Sequence, residues 1–531
     1  MMRATSRRRT ERHLAAIGAL TGIFFSLSCA PQAKVETALP SAELEKKAAD
    51  AEAQVKRGCY IGFKQAIQIY QELDGQPSMT KKIAYPYLRA LLLMAVRERE
   101  VGILSHASCQ KALELVKENP ALRQFLPYFE IADSMSPRTR GIMQDITVTA
   151  VKKVSDDFLQ QKQAEADLYN KALADDYHAY LYVAFFTGYG FYAEKANEST
   201  AAILARYPES ILLRYKNAIY PRSNQVKLEA LIQADSEFYE AYYNLGELSI
   251  GGQNLLEAEK NFLKALEGLA ESPQVTIYLG SIYTATEEFE KSLEFYDKTL
   301  ALSPKYRDAL LGKAISLSYL GRYQEAIEVL NRNVELGFYL MGESYYWLAW
   351  NTHELKDNDS AQANIEESKG RLPTNSEVFG LSGTIAFEKG EIDRAEKEFL
   401  EALKYNGGNT EALYGLGRLY GQKEKWSDSA AYYERAAFVF ERNESAIADR
   451  IDQIKKSSLS EERKARLLAK KEQQLKITQA TAATAFYNAA ASFANSGQKA
   501  KALDMAARAA RHPQFKEKAE ELIKQIKQMN G

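Results

Sequence analysis

Cysteine, histidine and proline are scarce in this chain: three, five and thirteen of 531 residues. His106, His178, His353 and His512 stand singly, and no His/Cys group has the spacing of a metal site, so no metal is expected. A glycine-rich phosphate loop and a nucleophile elbow are also missing. The chain is therefore expected to be no enzyme and to carry no cofactor. Away from the amino terminus no apolar run approaches the ~20 residues that cross a bilayer as a helix. Charge of one sign is lacking too. The formal net charge is −1, and removing residues 1–28, with five arginines and one glutamate, makes it −5. A mildly acidic chain has no electrostatic footprint for nucleic acid.

What is present is a repeat. Tyr242, Leu245, Gly246, Ala258, Phe262 and Ala265 are echoed by Leu279, Gly280, Tyr283, Ser292, Tyr296 and Pro304. Further on come Gly383, Gly390, Ala395, Phe399 and Ala402, then Leu413, Leu416, Gly417, Tyr420, Tyr433 and Ala436. The pitch is about 34 residues, that of a helix-turn-helix unit. Glycine inside a helix costs ~1 kcal/mol relative to alanine. Its recurrence at one register implies that a neighbouring helix approaches closely there, with large side chains filling the space beside it. Gly321 and Gly390 mark turns within pairs, while Pro304 and Pro373 mark the joins between them.

This pattern resembles the tetratricopeptide (TPR) family, bacterial TPR-containing lipoproteins in particular. The resemblance implies an all-α solenoid, a right-handed superhelix of helix-turn-helix pairs. Six units are expected at 239–272, 273–306, 307–341, 342–375, 376–409 and 410–443, together spanning 239–443. A last unit and a capping helix fill 483–531, with Phe515, Leu522, Ile523 and Ile526 on the cap. Upstream, 171–238 reads as degenerate units retaining Ala196, Ile203 and Pro208, and 41–170 as a divergent helical module. Within that module 41–71 and 85–101 read as helices, 138–170 as a long amphipathic helix, and Ser136–Gly141 as an exposed loop. Cys59 and Cys109 either pair, stapling the module, or stay as buried free thiols.

Residues 444–482 interrupt the repeat with a charged stretch, for which Ser460 before Glu461 and Glu462 supplies a helix start. A helical hairpin or extended helix projecting from the solenoid is expected. It is either a solvated, salt-bridged face or a docking arm.

The amino terminus reads as an address. Arg3, Arg7, Arg8, Arg9 and Arg12 precede an uncharged stretch from Leu14 to Ser28 and then Cys29. Basic residues followed by a short apolar segment make a signal peptide, here 1–28. Leu27-Ser28-Cys29-Ala30 resembles a bacterial lipoprotein processing site, with Ser26 where that family carries leucine. The polar stretch 29–40 would be a tether. The expectation is lipidation of Cys29 and a periplasm-facing lipoprotein of the cell envelope, at the outer membrane.

TPR proteins bind extended peptides or helices on a concave face lined by first-helix residues. That resemblance implies a groove of Tyr243, Glu247, Ile277, Ser281, Ile315, Tyr319, Tyr346, Trp350, His353, Thr384, Phe387, Tyr414 and Arg418. Chaperone-binding members clamp a carboxylate with Lys, Asn and Arg, a set absent here. The expected function is a non-catalytic scaffold that binds a protein or peptide partner in an aromatic groove. Two alternatives are a ligand-binding accessory of a solute transporter, resembling the TPR component of TRAP systems, and a cytoplasmic adaptor.

Overall fold

A computed structural model of the chain describes residues 40–103, 105–125, 175–188, 201–220, 222–337 and 340–529. The expectations placed on Cys29, on the signal and nearly all of the tether, on Ser136–Gly141, on 138–170 and on Ala196 lie outside the described residues. Among the described residues there is no strand. The fold is an all-α solenoid.

The module opens with α1 (Ser41–Lys56), α2 (Tyr60–Asp74), α3 (Thr80–Glu100) and α4 (Ala107–Glu118), each packed on the next. The sequence expectation of one helix over 41–71 is corrected by Gly58, which adopts φ +67°. A β-carbon there would lie 2.8 Å from Ile211, so the chain breaks and Cys59 caps α2 instead. After α5 (Asp176–Gly188) come α6 (Ile211–Ile219) and α7 (Gln225–Ala234), which lead into the regular array.

Six pairs follow: α8–α9 (Tyr239–Gly251, Leu255–Gly268), α10–α11 (Pro273–Ala285, Phe289–Leu302), α12–α13 (Arg307–Tyr319, Tyr323–Glu335), α14–α15 (Met341–Glu354, Asn358–Arg371), α16–α17 (Ser376–Glu388, Ile392–Tyr405) and α18–α19 (Thr410–Gln422, Trp426–Lys456). Their packing follows the expected register of small against large. Tyr296 wedges between two first helices, where β-carbons on Gly280 and Gly312 would approach its ring to 2.8 and 2.3 Å. Phe399 does the same between Gly383 and Gly415. The second helix thus inserts one aromatic ring into a slot made by glycines of its own pair and of the next.

Each pair turns through a left-handed residue: Gln253, Glu287, Gly321, Lys356, Gly390 and Glu424, with φ from 56° to 77°. Several helices begin at a side-chain cap, among them Ser272, Asn375 and Asn409 on first helices. From α10 onward, first helices touch the first helices of the next pair, and second helices make no comparable contact with each other. The inner row is therefore the shorter one. The array curves with its first helices on the concave side.

α19 runs well beyond the end of an ordinary second helix and turns at Ser457–Ser460 into α20 (Glu461–Asn495). The carboxyl half of α20 pairs with α21 (Lys499–Ala509), and α22 (Lys516–Gln528) closes the end by burying Ala519, Leu522 and Ile526. The base of the long hairpin is an alanine joint, with Ala436, Ala437, Ala485 and Ala489 all fully buried.

Candidate interaction groove and its strap

The N-terminal module is fixed to the array by a buried ionic knot. Arg97 lies between Glu100, whose carboxylate is 2.9 Å from its Nε, and Glu240, and its guanidinium sits 4.2 Å from the Tyr215 ring centre. Lys216 pairs with the other oxygen of Glu100. The Tyr60 backbone N–H donates to Glu240 at 2.6 Å. Two cations balance two carboxylates, which is how charge survives burial. Burial pushes the Glu240 carboxyl upward despite Arg97. Outside the knot Arg57 holds Asp235 at 2.9 Å and Glu237 at 2.6 Å. Cys59 sits beside it, accepting from the Gly62 N–H at 3.4 Å and donating to Asp235 at 3.8 Å. Burial pushes its thiol up to about 12. Cys109 is buried on α4, and no disulfide joins it to Cys59. The disulfide alternative is thus corrected: Cys59 packs with Tyr215 and Phe238 at the join, whereas Cys109 belongs to the core of the module.

On the inner row the expected lining residues divide. Tyr243 is fully buried, packs on Phe262 and Tyr278, and donates to Glu247 at 3.1 Å; Tyr278 donates to the same carboxylate at 3.0 Å. Ile277 and His353 are also buried, the latter with Nε2 3.2 Å from Glu388. These three are packing residues and not groove surface, because the pairs close over them.

Tyr319, Tyr346, Trp350, Phe387 and Tyr414 keep accessible surface. Tyr319 is 56% exposed. Its ring stacks on Phe289 at 4.9 Å and meets Trp347 at 5.7 Å and Trp350 at 6.4 Å. Tyr323 and Tyr346 extend the patch on either side. Farther along, Arg418 lies 4.7 Å over Phe387, and Tyr414 accepts from Asn488 at 3.1 Å. Between the two patches Glu411 accepts from Thr384 at 2.7 Å. Ser281 is exposed and Ile315 half-buried.

Sequence reasoning missed Tyr323, Trp347 and Glu411 as members of this surface, and Phe289 as the buried ring on which Tyr319 stacks. Phe289 and Tyr323 open second helices, which the first-helix register excludes.

The expectation of a projecting insertion is also corrected. The hairpin folds back across the array. Arg463 grips Glu259 through Nη1 at 2.8 and 2.7 Å and Glu288 through Nε at 3.1 Å, partners 204 and 175 residues away in sequence. Its side chain is 12% exposed. Lys471 bonds the Glu287 carboxylate at 2.8 Å. Lys470 donates to the Glu287 carbonyl and sits 4.3 Å over the Phe289 ring. Glu287 is the left-handed turn residue of its pair, so the turn that reverses the chain also presents both acceptors.

Among the described residues, no group of His, Cys, Asp and Glu could hold a metal ion, and no helix is long and apolar enough to cross a membrane.

Residues 381–446 match the family model described as "Tetratricopeptide repeat". The human protein named "Protein O-mannosyl-transferase TMTC1" is 29% identical over 204 residues, 37% of this chain and 22% of that protein. The Bos taurus protein named "BBSome complex member BBS4" is 29% identical over 170 residues, 31% of each chain. The chain thus spans less than a third of the length of these relatives. A solved tetratricopeptide repeat protein from Parabacteroides merdae is 18% identical, covering 47% of this chain and 91% of its own, at a TM-score of 0.35. Six helix pairs thus hold one register, and within them residues 381–446 carry the tetratricopeptide repeat.

Proposed function

We propose that this protein is a non-catalytic interaction scaffold of the bacterial cell envelope. An extended protein segment docks along its concave face, over the aromatic patch of Tyr319, Trp347 and Trp350. The observation that carries this reading is Tyr319, more than half exposed yet stacked on one aromatic ring and flanked by two more. Rigid aromatic side chains bury large area at little cost in side-chain entropy, which makes them anchors in interfaces. Stacked repeats leave a long concave surface suited to an extended partner. The BBS4 protein is named as a member of a complex, in keeping with an assembly role for repeats of this kind.

Attachment to the envelope rests on the order of basic residues, apolar segment and Cys29, with lipid on Cys29 and the solenoid facing the periplasm at the outer membrane. In-cell crosslinking and pull-down of the native protein beside a Tyr319→Ala/Trp350→Ala variant tests the groove. A dominant protein partner lost in the variant is the expected result; an unchanged profile refutes the groove. Labelling with palmitate tests the anchor, which is refuted if label persists in Cys29→Ala.

A further inference from the structure

The hairpin is rooted in the sixth and seventh pairs and its tip rests on the first and second. The tip touches Glu259 of the second helix α9 and the turn at Glu287 and Glu288, so the rod bridges the arc along its turn-side rim. The reach is sufficient: the roughly 20 residues of α20 between its start and the seventh pair span about 30 Å as helix. The contact of Lys470 with Phe289 puts the rod one ring away from Tyr319.

The two ends of this rod are held differently. At the base, fully buried alanines let α19 and α20 approach closely over many turns. At the tip the attachment is ionic, through Arg463 and Lys471, and loosely filled. A cavity of about 320 Å³ lies there between strap and array, lined by Leu255 and Leu256 on one side and Ile454, Leu459 and Leu467 on the other. The pocket leaves part of the strap's apolar face without contacts, so the tip is held chiefly by these partly buried ion pairs. The clasp is thus what holds the tip to the array.

We propose that residues 444–482 form a strap along the turn-side rim of the concave face, and that the ionic clasp of Arg463 and Lys471 on Glu259, Glu287 and Glu288 governs access to the aromatic patch. This rests on the reading of that patch as the docking surface. A partner segment enters fully when the clasp is released, and the strap then closes over it.

Two of the three tryptophans in the chain, Trp347 and Trp350, lie in the patch, and the third, Trp426, is at the hairpin base. In a Trp426→Phe background, tryptophan emission reports the patch alone, without any partner. The probe is a nitroxide quencher tethered to polyethylene glycol, too bulky to pass a closed strap, compared with acrylamide, which is small enough to enter. Arg463→Glu should raise quenching by the bulky probe several-fold and leave acrylamide quenching nearly unchanged. Cysteines introduced by Leu256→Cys and Leu459→Cys, which face the same cavity, should lock the strap when oxidised and suppress bulky quenching until reduced. Equal bulky quenching in the locked, parent and Arg463→Glu proteins, each with an intact helical spectrum, overturns the strap. The scaffold reading would survive that result, because loss of the partner in Tyr319→Ala/Trp350→Ala is measured separately.

Discussion

Glu411 sits where three pairs meet, hydrogen-bonded to Thr384 of the fifth pair and within electrostatic reach of Tyr346 of the fourth. Burial pushes its carboxyl up to about 7, with Glu377 adding to the rise and Thr384 opposing it. The folded state therefore holds this proton more tightly than the unfolded chain, whose value is the ordinary 4.5. The stabilising contribution is complete below the unfolded value and is lost as pH rises through about 7. Glu411→Gln keeps an acceptor for Thr384 and removes the titration. Its urea midpoint relative to the parent should rise between about pH 5 and about pH 8; an offset that is constant over that interval refutes the assignment. Nothing in the sequence marks this residue, because a glutamate in the first turn of a helix is the ordinary partner of the helix dipole. The same applies to Arg97-Glu98-Arg99-Glu100. Four alternating charges read as a solvated face, yet all four are buried, because α3 packs against α2, α4 and α5 and Arg97 meets Glu240 of the array.

The pair is the element at which sequence and structure agree most fully, and the reason is steric. A glycine that must accept an aromatic ring leaves a mark at a fixed position in four of the six repeats, so Gly246, Gly280, Gly383 and Gly417 reveal the register without any structure. The turns were half legible. Gly321 and Gly390 announce themselves, whereas Gln253, Glu287, Lys356 and Glu424 occupy the same left-handed conformation without glycine. A side chain there costs about 1 kcal/mol, part of which glycine returns as lost chain entropy. Glu424→Gly should stabilise the protein by roughly 0.5 kcal/mol. At Glu287 the same relief is offset by loss of the Lys471 ion pair, so Glu287→Gly should gain less. Urea unfolding of both variants checks the pair of values, and a gain at position 287 equal to or above that at 424 contradicts the clasp. The strap was legible as a charged helical stretch but not as a bridge. Its partners lie in ordinary repeat turns, and pairing across 175 residues leaves no periodic signal.

A linear solenoid transmits nothing from end to end except through neighbours, so its stability is approximately a sum of units and adjacent interfaces. The strap adds a second path between the first two pairs and the last two, and the array becomes a loop. Gly280→Ala puts a β-carbon against Tyr296 at 2.8 Å, and overpacking of this kind costs about 1–3 kcal/mol. In an open array that damage should fade along the chain before it reaches the seventh pair. In the closed one it should loosen the clasp at Glu287 and Glu288, on the same pair as Gly280, and so free the hairpin. Hydrogen exchange at residues 461–480 is the readout. Gly280→Ala should accelerate it in the parent and leave it unchanged in Arg463→Glu, where the clasp is already broken. Equal acceleration in both backgrounds would mean that the disturbance travels along the pairs, with the strap carrying none of it.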